Sequence, residues 1–489
     1  MRILDCTLRD GGYNNNWAFT DFESQIYFEN ISRLPIDIVE IGYNEQKGNK
    51  FYGQYYYCSS EFTQKIKNNY DVDIALMINV KNFEQSEINS FSVDKSVSLY
   101  RLAVSPDNLE QALNLAKKIK QQNKEVALNI MYASQWKADD AFISKILNSS
   151  TFLDIVYVVD SFGSLFPKDV IKIFSSFKGR KFKLGFHAHN NLELAFANTI
   201  TAIDCGAEIV DSTILGMGRG AGNLNTELLL PYLKKEVDFN TLANITNLFS
   251  KIKSKFPWGT NLPYMIGGFN DIPQSTVMDL VTNHFYDYKQ IIDLLLNNNQ
   301  ISNNYKELKI KSNEKILIVG GGETIKDYLD GIIRYIENNP KTIIIFTSSK
   351  YLNLFENIPN QIYLCLTGIE IERYKKLAIN NKVKFLIHSK KIDYHLNDLE
   401  LSNTFYVEDS LFNNRFIHST LSLALNSFDK LSDINKVMLI GFDGYTDNFH
   451  HQNENKTLFE SLKKLDKEAV FLTPTRYPDQ KVESIYKFI

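Results

Sequence analysis

Short runs of apolar, often β-branched residues recur along the first 235 positions, and between them the apolar residues return every three or four. The runs are RILDCTL (2–8), DIVEIGY (37–43), VDIALMINV (72–80), VSLYRLAV (97–104), EVALNIMY (125–132), DIVYVVDS (154–161), FKLGFHAH (182–189) and EIVDSTIL (208–215). Most are apolar throughout rather than alternating, as strands buried on both faces must be. DNLEQALNLAKKIKQQ (107–122) and NLELAFANTITAIDCG (191–206) are typical of the helical stretches between them. Eight strands in strict alternation with helices predict an α/β protein whose residues 1–235 close into a (β/α)₈ barrel, an open doubly wound sheet being the alternative.

Residues 236–300 read as a helical extension over the barrel mouth, interrupted by the Gly- and Pro-rich loop PWGTNLPYMIGGFNDIP (257–273). The polar stretch 300–315 has no apolar face and reads as a linker. The pattern then restarts at KILIVGGGETIKDYL (315–329), TIIIFTS (342–348), QIYLCLTG (361–368), VKFLIHS (383–389) and KVMLIGFDGY (436–445), predicting a smaller open α/β domain over 312–489.

A chain of 489 residues is long enough for that division. Its net charge of −3 argues against a nucleic-acid partner, and it has no apolar run of about 18 residues for a membrane span. Asp5, Arg9 and Asp10 break any signal-like apolar segment. The cysteines, Cys6, Cys58, Cys205 and Cys365, are scattered without a CxxC pair, so reduced thiols and a cytoplasmic location are expected.

Chemistry in such a barrel sits where strands end at their C-termini. The first run leads into Arg9-Asp10-Gly11-Gly12, whose glycines predict a sharp turn. The seventh ends His187-Ala188-His189, and the eighth runs into GMGRGAGN (216–223). Positions i and i+2 of a strand share a face, so His187 and His189 point together into the mouth. With Asp10 they form a three-ligand N/O face with positions left open, suited to Mn²⁺ or Mg²⁺, with Co²⁺ or Zn²⁺ also compatible. Asn79, Arg101, Asn129, Asp160 and Ser161 end other strands at the same mouth, and Arg101 is the expected substrate-carboxylate clamp.

RDGG (9–12), Glu40, GFHAHNN (185–191) and GMGRGAGN, on four strands in order, resemble the DRE-TIM metallolyase superfamily over about residues 1–270. That group includes 3-hydroxy-3-methylglutaryl-CoA lyase, isopropylmalate synthase, carboxyltransferase domains and 4-hydroxy-2-oxovalerate aldolase, and the last branch is the most similar. The resemblance implies that Asp10, His187 and His189, with Asn223, hold a divalent metal. It implies that Arg9 hydrogen-bonds an enolate oxygen and that Glu40 orients Arg9 or a water. Where the aldolase branch keeps a general-base histidine, this chain has Tyr13. Tyr264 is the candidate for that branch's substrate-facing tyrosine. The implied activity is formation or cleavage of a C–C bond beside a 2-oxo acid through a pyruvate-type enolate, with an aldehyde as partner and a homo-oligomer as the working form. A Claisen condensation of an acyl-CoA with a 2-oxo acid is the alternative, although the glycine loop lacks the CoA-ester lyase's cysteine.

In the second domain VGGGETIKD (319–327) leaves a strand and opens a helix, where backbone N–H groups can meet a phosphate. With LALNSFDKLSDINKVMLIGFDGY (423–445) it distantly resembles Rossmann-like domains of bacterial surface-glycan enzymes, including Campylobacter-type sialyltransferases. That resemblance implies a nucleotide or nucleotide-sugar site at Gly320, Gly322, Thr324, Asp443 and Tyr445, and a role in surface-carbohydrate (polysaccharide) biosynthesis. A nucleotide-sugar transferase using the barrel as a scaffold is the remaining reading.

Overall fold

The computed structural model describes residues 1–45, 52–149, 152–282, 288–296, 305–310, 315–367, 370, 373–374, 383–388, 403–408, 410–412, 419–429, 436–446, 449–464 and 467–489. They form two compact units, Met1–Asp279 and Leu280–Ile489.

The first unit is a closed parallel barrel of eight strands in chain order. They are β1 (Arg2–Asp5), β2 (Ile38–Tyr43), β3 (Ile74–Asn79), β4 (Val97–Val104), β5 (Glu125–Ile130), β6 (Ile155–Asp160), β7 (Lys183–Ala188) and β8 (Ile209–Ser212). β8 closes onto β1 through Arg2 opposite Ile209 and Ile3 opposite Val210. Alternation along each strand sorts the side chains. Leu4, Cys6, Ile38, Ala75, Leu99, Ala127, Ile155, Tyr157, Val159 and Ile209 form an apolar cluster. Opposite parity supplies Ile3, Val39, Ile41, Leu76, Val126, Val156 and Val210 to the larger core shared with the surrounding helices. One step further along the strands of the first cluster, two residues on, come Glu40, Arg101, Asn129 and Asp211, so the apolar floor is capped by a polar layer. Tyr157 needs room beside β7: a Cβ on Gly185 would lie 2.6 Å from its Cδ1.

β1 is shorter than its apolar run suggests. The chain leaves it at Asp5 and enters helix α1 (Thr7–Asn15), which carries Arg9, Asp10 and both glycines. Gly11 and Gly12 therefore make no sharp turn. They admit neighbours, since a Cβ on Gly11 would lie 2.5 Å from Met217 Sδ and one on Gly12 2.1 Å from Trp17 Cδ1. Helices Phe239–Lys255 and Leu262–Phe269 follow the barrel within the same unit.

The second unit holds a nine-stranded sheet, parallel throughout. Its strands are β9 (Lys306–Glu307), β10 (Lys315–Val319), β11 (Thr342–Phe346), β12 (Ile362–Cys365), β13 (Val383–His388), β14 (Thr404–Val407), β15 (Lys436–Ile440), β16 (Glu468–Phe471) and β17 (Lys481–Val482). The spatial order is β17-β16-β15-β10-β11-β12-β13-β14-β9. The expected linker needs correction. Lys306 and Glu307 pair with β14 and Leu308 is buried in the sheet's core, so part of 300–315 belongs to the sheet; 300–304 and 311–314 lie outside the described residues.

Candidate metal centre and the cavities

Asp10 sits on α1, His187 near the end of β7, and His189 one residue beyond that strand. The Nε2 atoms of both histidines lie 3.8 Å from Asp10 Oδ2. One ligand atom from each of the three residues falls within 4.8 Å of the others. The second ring nitrogen of each histidine is engaged from below. His189 Nδ1–H donates to the Asp160 carbonyl at 2.8 Å, and His187 Nδ1–H donates to Asp211 Oδ2 at 2.8 Å. A carbonyl can only accept, and Asp211 is held ionised, so both Nε2 atoms keep their lone pairs for the mouth. Burial alone would raise the Asp211 carboxyl, but Arg101 and His187 hold it below its usual range. In the same way burial opposes ionisation of Asp10, yet Arg9, the two imidazoles and the Asn223 amide keep it well below the usual carboxylate range. Burial, assisted by His187, depresses His189 to about 4.

Asn223 arrives from the glycine loop. Asn190 N–H donates to Gly222 O at 2.8 Å, which pins the loop against the end of β7. Gly222 has φ +80°, a conformation that favours glycine, and a Cβ there would lie 2.4 Å from Gly216 O. The Asn223 Nδ2 donates to Asp10 Oδ2 at 2.6 Å, while its buried Oδ1 has no hydrogen-bond partner. An orphaned buried acceptor beside two lone-pair nitrogens and an ionised carboxylate is a donor set that fits a divalent ion. A second cluster, Cys6, His187 and Asp211, fits less well, because Asp211 already neutralises Arg101 and receives His187 Nδ1–H.

Arg9 is held by Glu40 Oε2 through Nε and by Asp10 Oδ1 through Nη1, both at 2.7 Å. Glu40 is fully buried and reaches Arg9 directly. A cavity of about 140 Å³ opens over these groups, lined by Arg9, Asp10, His187, His189, Tyr13 and Tyr43 among others. Asn79 and Ser161 also line it, the first donating to Glu45 Oε1 at 2.5 Å and the second accepting from Tyr132 N–H at 2.8 Å. Tyr13 Oη and Tyr43 Oη are hydrogen-bonded at 2.8 Å.

Two expectations need correction. Arg101 does not face the cavity. Its fully buried guanidinium bonds Glu40 Oε2 at 2.8 Å and Asp211 Oδ2 at 2.5 Å, and lies 4.2 Å from the Tyr157 ring centroid, so it cannot clamp a substrate. Tyr264 is 3% exposed and packs under the glycine loop, where a Cβ on Gly220 would lie 2.6 Å from its Cε1. Sequence reasoning passed over Asp211, Tyr43 and Arg219. Asp211 had one available signal, a carboxylate in a barrel strand that shares its parity with the inward Ile209.

In the second unit a cavity of about 950 Å³ is lined by residues at the C-terminal ends of β10, β11, β12 and β15. β10 lies between β11 and β15, where chain connections diverge to opposite sides of the sheet, the usual location of a ligand crevice in such sheets. The structure brings Gly320, Gly322, Thr324 and Asp443 together, but it corrects the expected phosphate contact. Asp443 accepts from Thr324 N–H at 3.0 Å and from the Thr324 hydroxyl, and a Cβ on Gly322 would lie 2.3 Å from Asp443 Oδ1. Asp443 thus holds both Thr324 donors, while the Gly320 and Gly322 N–H groups donate to Ile440 O and Gly441 O, each at 2.8 Å. Tyr445 lines the cavity and stacks on His451 with ring centroids 5.0 Å apart.

Comparison with known proteins matches residues 1–251 to the HMGL-like family model. The 4-hydroxy-2-oxovalerate aldolase of Carboxydothermus hydrogenoformans is 30% identical over 243 residues, covering 48% of this chain and 71% of that enzyme. The oxaloacetate decarboxylase of Mycobacterium tuberculosis is 26% identical over 238 residues, with 48% and 70% covered. Among solved structures, the N-terminal domain of a candidate aldolase from Bacteroides vulgatus is 42% identical with a TM-score of 0.56, covering 60% of this chain and all of that one.

Proposed function

Because the chain belongs to the HMGL-like family, we propose that its barrel is a divalent-metal-dependent lyase acting on the C–C bond beside a 2-oxo acid, with a pyruvate-type enolate and an aldehyde as the cleavage products. The observation that carries this reading is the convergence of two imidazole Nε2 atoms on Asp10 Oδ2, each at 3.8 Å, with both opposite nitrogens occupied. Asp10, His187, His189 and the Asn223 Oδ1 would hold the ion. When bound it supplies Lewis-acid polarisation of the keto group.

The remaining work falls to side chains of this protein. Glu40 fixes Arg9 so that its unused N–H groups donate to the substrate oxygen that gains charge as the bond breaks. Tyr13 acts as a proton relay: its Oη receives the proton of the hydroxyl on the carbon being released and gives up its own O–H proton. The bonding pair passes to the carbon beside the keto group as the enolate, and the proton given up ends on that carbon. The Tyr13–Tyr43 hydrogen bond in the cavity wall supports that role for Tyr13. Metal-dependent exchange of the pyruvate C3 protons in D₂O, followed by NMR, tests the proposal. Exchange with Mn²⁺ or Mg²⁺, abolished in His187→Ala together with metal binding, is expected; no exchange with either ion would sink it.

For the second unit we propose a nucleotide-sugar site and, with it, a place in surface-carbohydrate biosynthesis. The large cavity at the sheet's switch point supports this, with Tyr445 and His451 as a stacking face and Arg476 at its edge. Saturable binding of UDP- or CMP-sugars to the full chain, weakened by Tyr445→Ala, is expected; indifference to both ligand types would remove this part.

A further inference from the structure

Three guanidiniums gather at or just under the barrel mouth, and two are neutralised by the chain itself. Arg9 is bonded to Asp10 and Glu40, and Arg101 to Glu40 and Asp211. Arg219 differs. Its guanidinium carbon lies 3.5 Å from the Tyr13 ring centroid and the residue lines the cavity. Among the described residues its side chain has no hydrogen bond and no ion pair. The nearby Asp10 already receives Arg9 at Oδ1 and the Asn223 amide at Oδ2.

The backbone holds Arg219 in place. Asn14 Nδ2 donates to Gly218 O at 2.9 Å, and Gly222 N–H donates to Arg219 O at 3.2 Å. The ring face of Tyr13 offsets part of the cost of withdrawing a cation from water. It offers nothing to the N–H donors in the guanidinium plane, which await oxygen acceptors. A planar fork with unused donors on a cavity wall matches a carboxylate in two-point contact.

We propose that Arg219 is the anion-binding group of this cavity and takes a carboxylate of the substrate. The inference rests on the lyase reading of the barrel. Two carboxylates could supply the contact, that of the 2-oxo acid itself or one carried by the aldehyde partner.

Calorimetric titration of the Mn²⁺-loaded full chain separates these sources, using pyruvate, succinate semialdehyde and the neutral butanal. Arg219→Ala is expected to weaken pyruvate, succinate semialdehyde or both by roughly tenfold or more, with butanal unchanged and Arg219→Lys intermediate. Weakened pyruvate identifies the 2-oxo acid's own carboxylate, and a loss confined to succinate semialdehyde identifies the aldehyde's. Unchanged binding of both anions overturns the proposal, as does an equal loss for butanal. Unaltered Mn²⁺ affinity in the variant shows that the mouth is intact. Pyruvate exchange by the wild type decides the lyase reading separately. Exchange without any anion dependence on Arg219 removes only this inference, whereas Arg219-dependent anion binding without exchange removes only the lyase.

Discussion

His187 and His189 present their Nε2 atoms because their other nitrogens are committed to Asp211 and Asp160. Asp211→Asn should therefore lower Mn²⁺ affinity by about 10- to 100-fold, as loss of a histidine's supporting carboxylate does elsewhere, read from free Mn²⁺ by electron paramagnetic resonance. The His189 imidazole also sets a pH dependence. Its folded value of about 4 lies below the ordinary 6.5, so between these limits the unfolded chain binds more protons. Stability of the metal-free chain should rise as pH goes from 4 to 6.5 and then level, and His189→Asn should flatten that rise in urea titrations. His187 and His189 were legible in the sequence because residue type and strand parity both single them out, and Asp10 because a carboxylate in RDGG directly follows the first apolar run. The role of Asp211 was not, because parity shows which side chains point inward but not which ones meet across a closed barrel, and Arg219 lies beyond β8, where parity does not apply. Arg101 shows the same limit: its inward direction was readable, but its two carboxylate partners, 61 and 110 positions away, were not.

β7 delivers a histidine to the mouth only because it runs past Tyr157 at a glycine. Gly185→Ala places a methyl 2.6 Å from that ring inside a packed barrel, and should cost about 1–3 kcal/mol in urea denaturation. Barrel strands were legible as elements because burial on both faces leaves uninterrupted apolar runs; every residue of β2 except its Glu40 and Gly42 is apolar, and all six are buried. The end of β1 was not legible, since the apolar or small residues of Cys6-Thr7-Leu8 suit a strand and a buried helix turn equally. β9 and β17 were missed because two residues are too short a window for either periodicity to register, and the four-residue β14 and β16 were missed as well.

At the scale of the molecule, metal binding should couple to the stability of the unit that carries the triad. Mn²⁺ at about 100 times its Kd should stabilise the barrel by about 2.7 kcal/mol, an increment that EDTA removes and His187→Ala lacks, measured by scanning calorimetry. Strict βα alternation made the barrel readable and the restart after residue 315 made a second sheet readable. The width of that sheet was not, because its outer strands carry little apolar signal of their own. Among the described residues no helix is long and apolar enough to cross a membrane.

The alternating chain of Arg9, Glu40, Arg101 and Asp211 has an electrostatic consequence. Taken with Asp10 and Arg219, these side chains comprise three carboxylates and three guanidiniums, so with neutral imidazoles their formal charges cancel. A divalent cation then leaves an excess of two positive charges in a largely water-excluded space. The enolate of a 2-oxo acid, with its carboxylate and its oxyanion, carries two negative charges and restores neutrality. Dianions such as oxalate should accordingly bind far better with Mn²⁺ than without it, and the barrel would favour the charge state reached after bond cleavage over the monoanionic acid that enters.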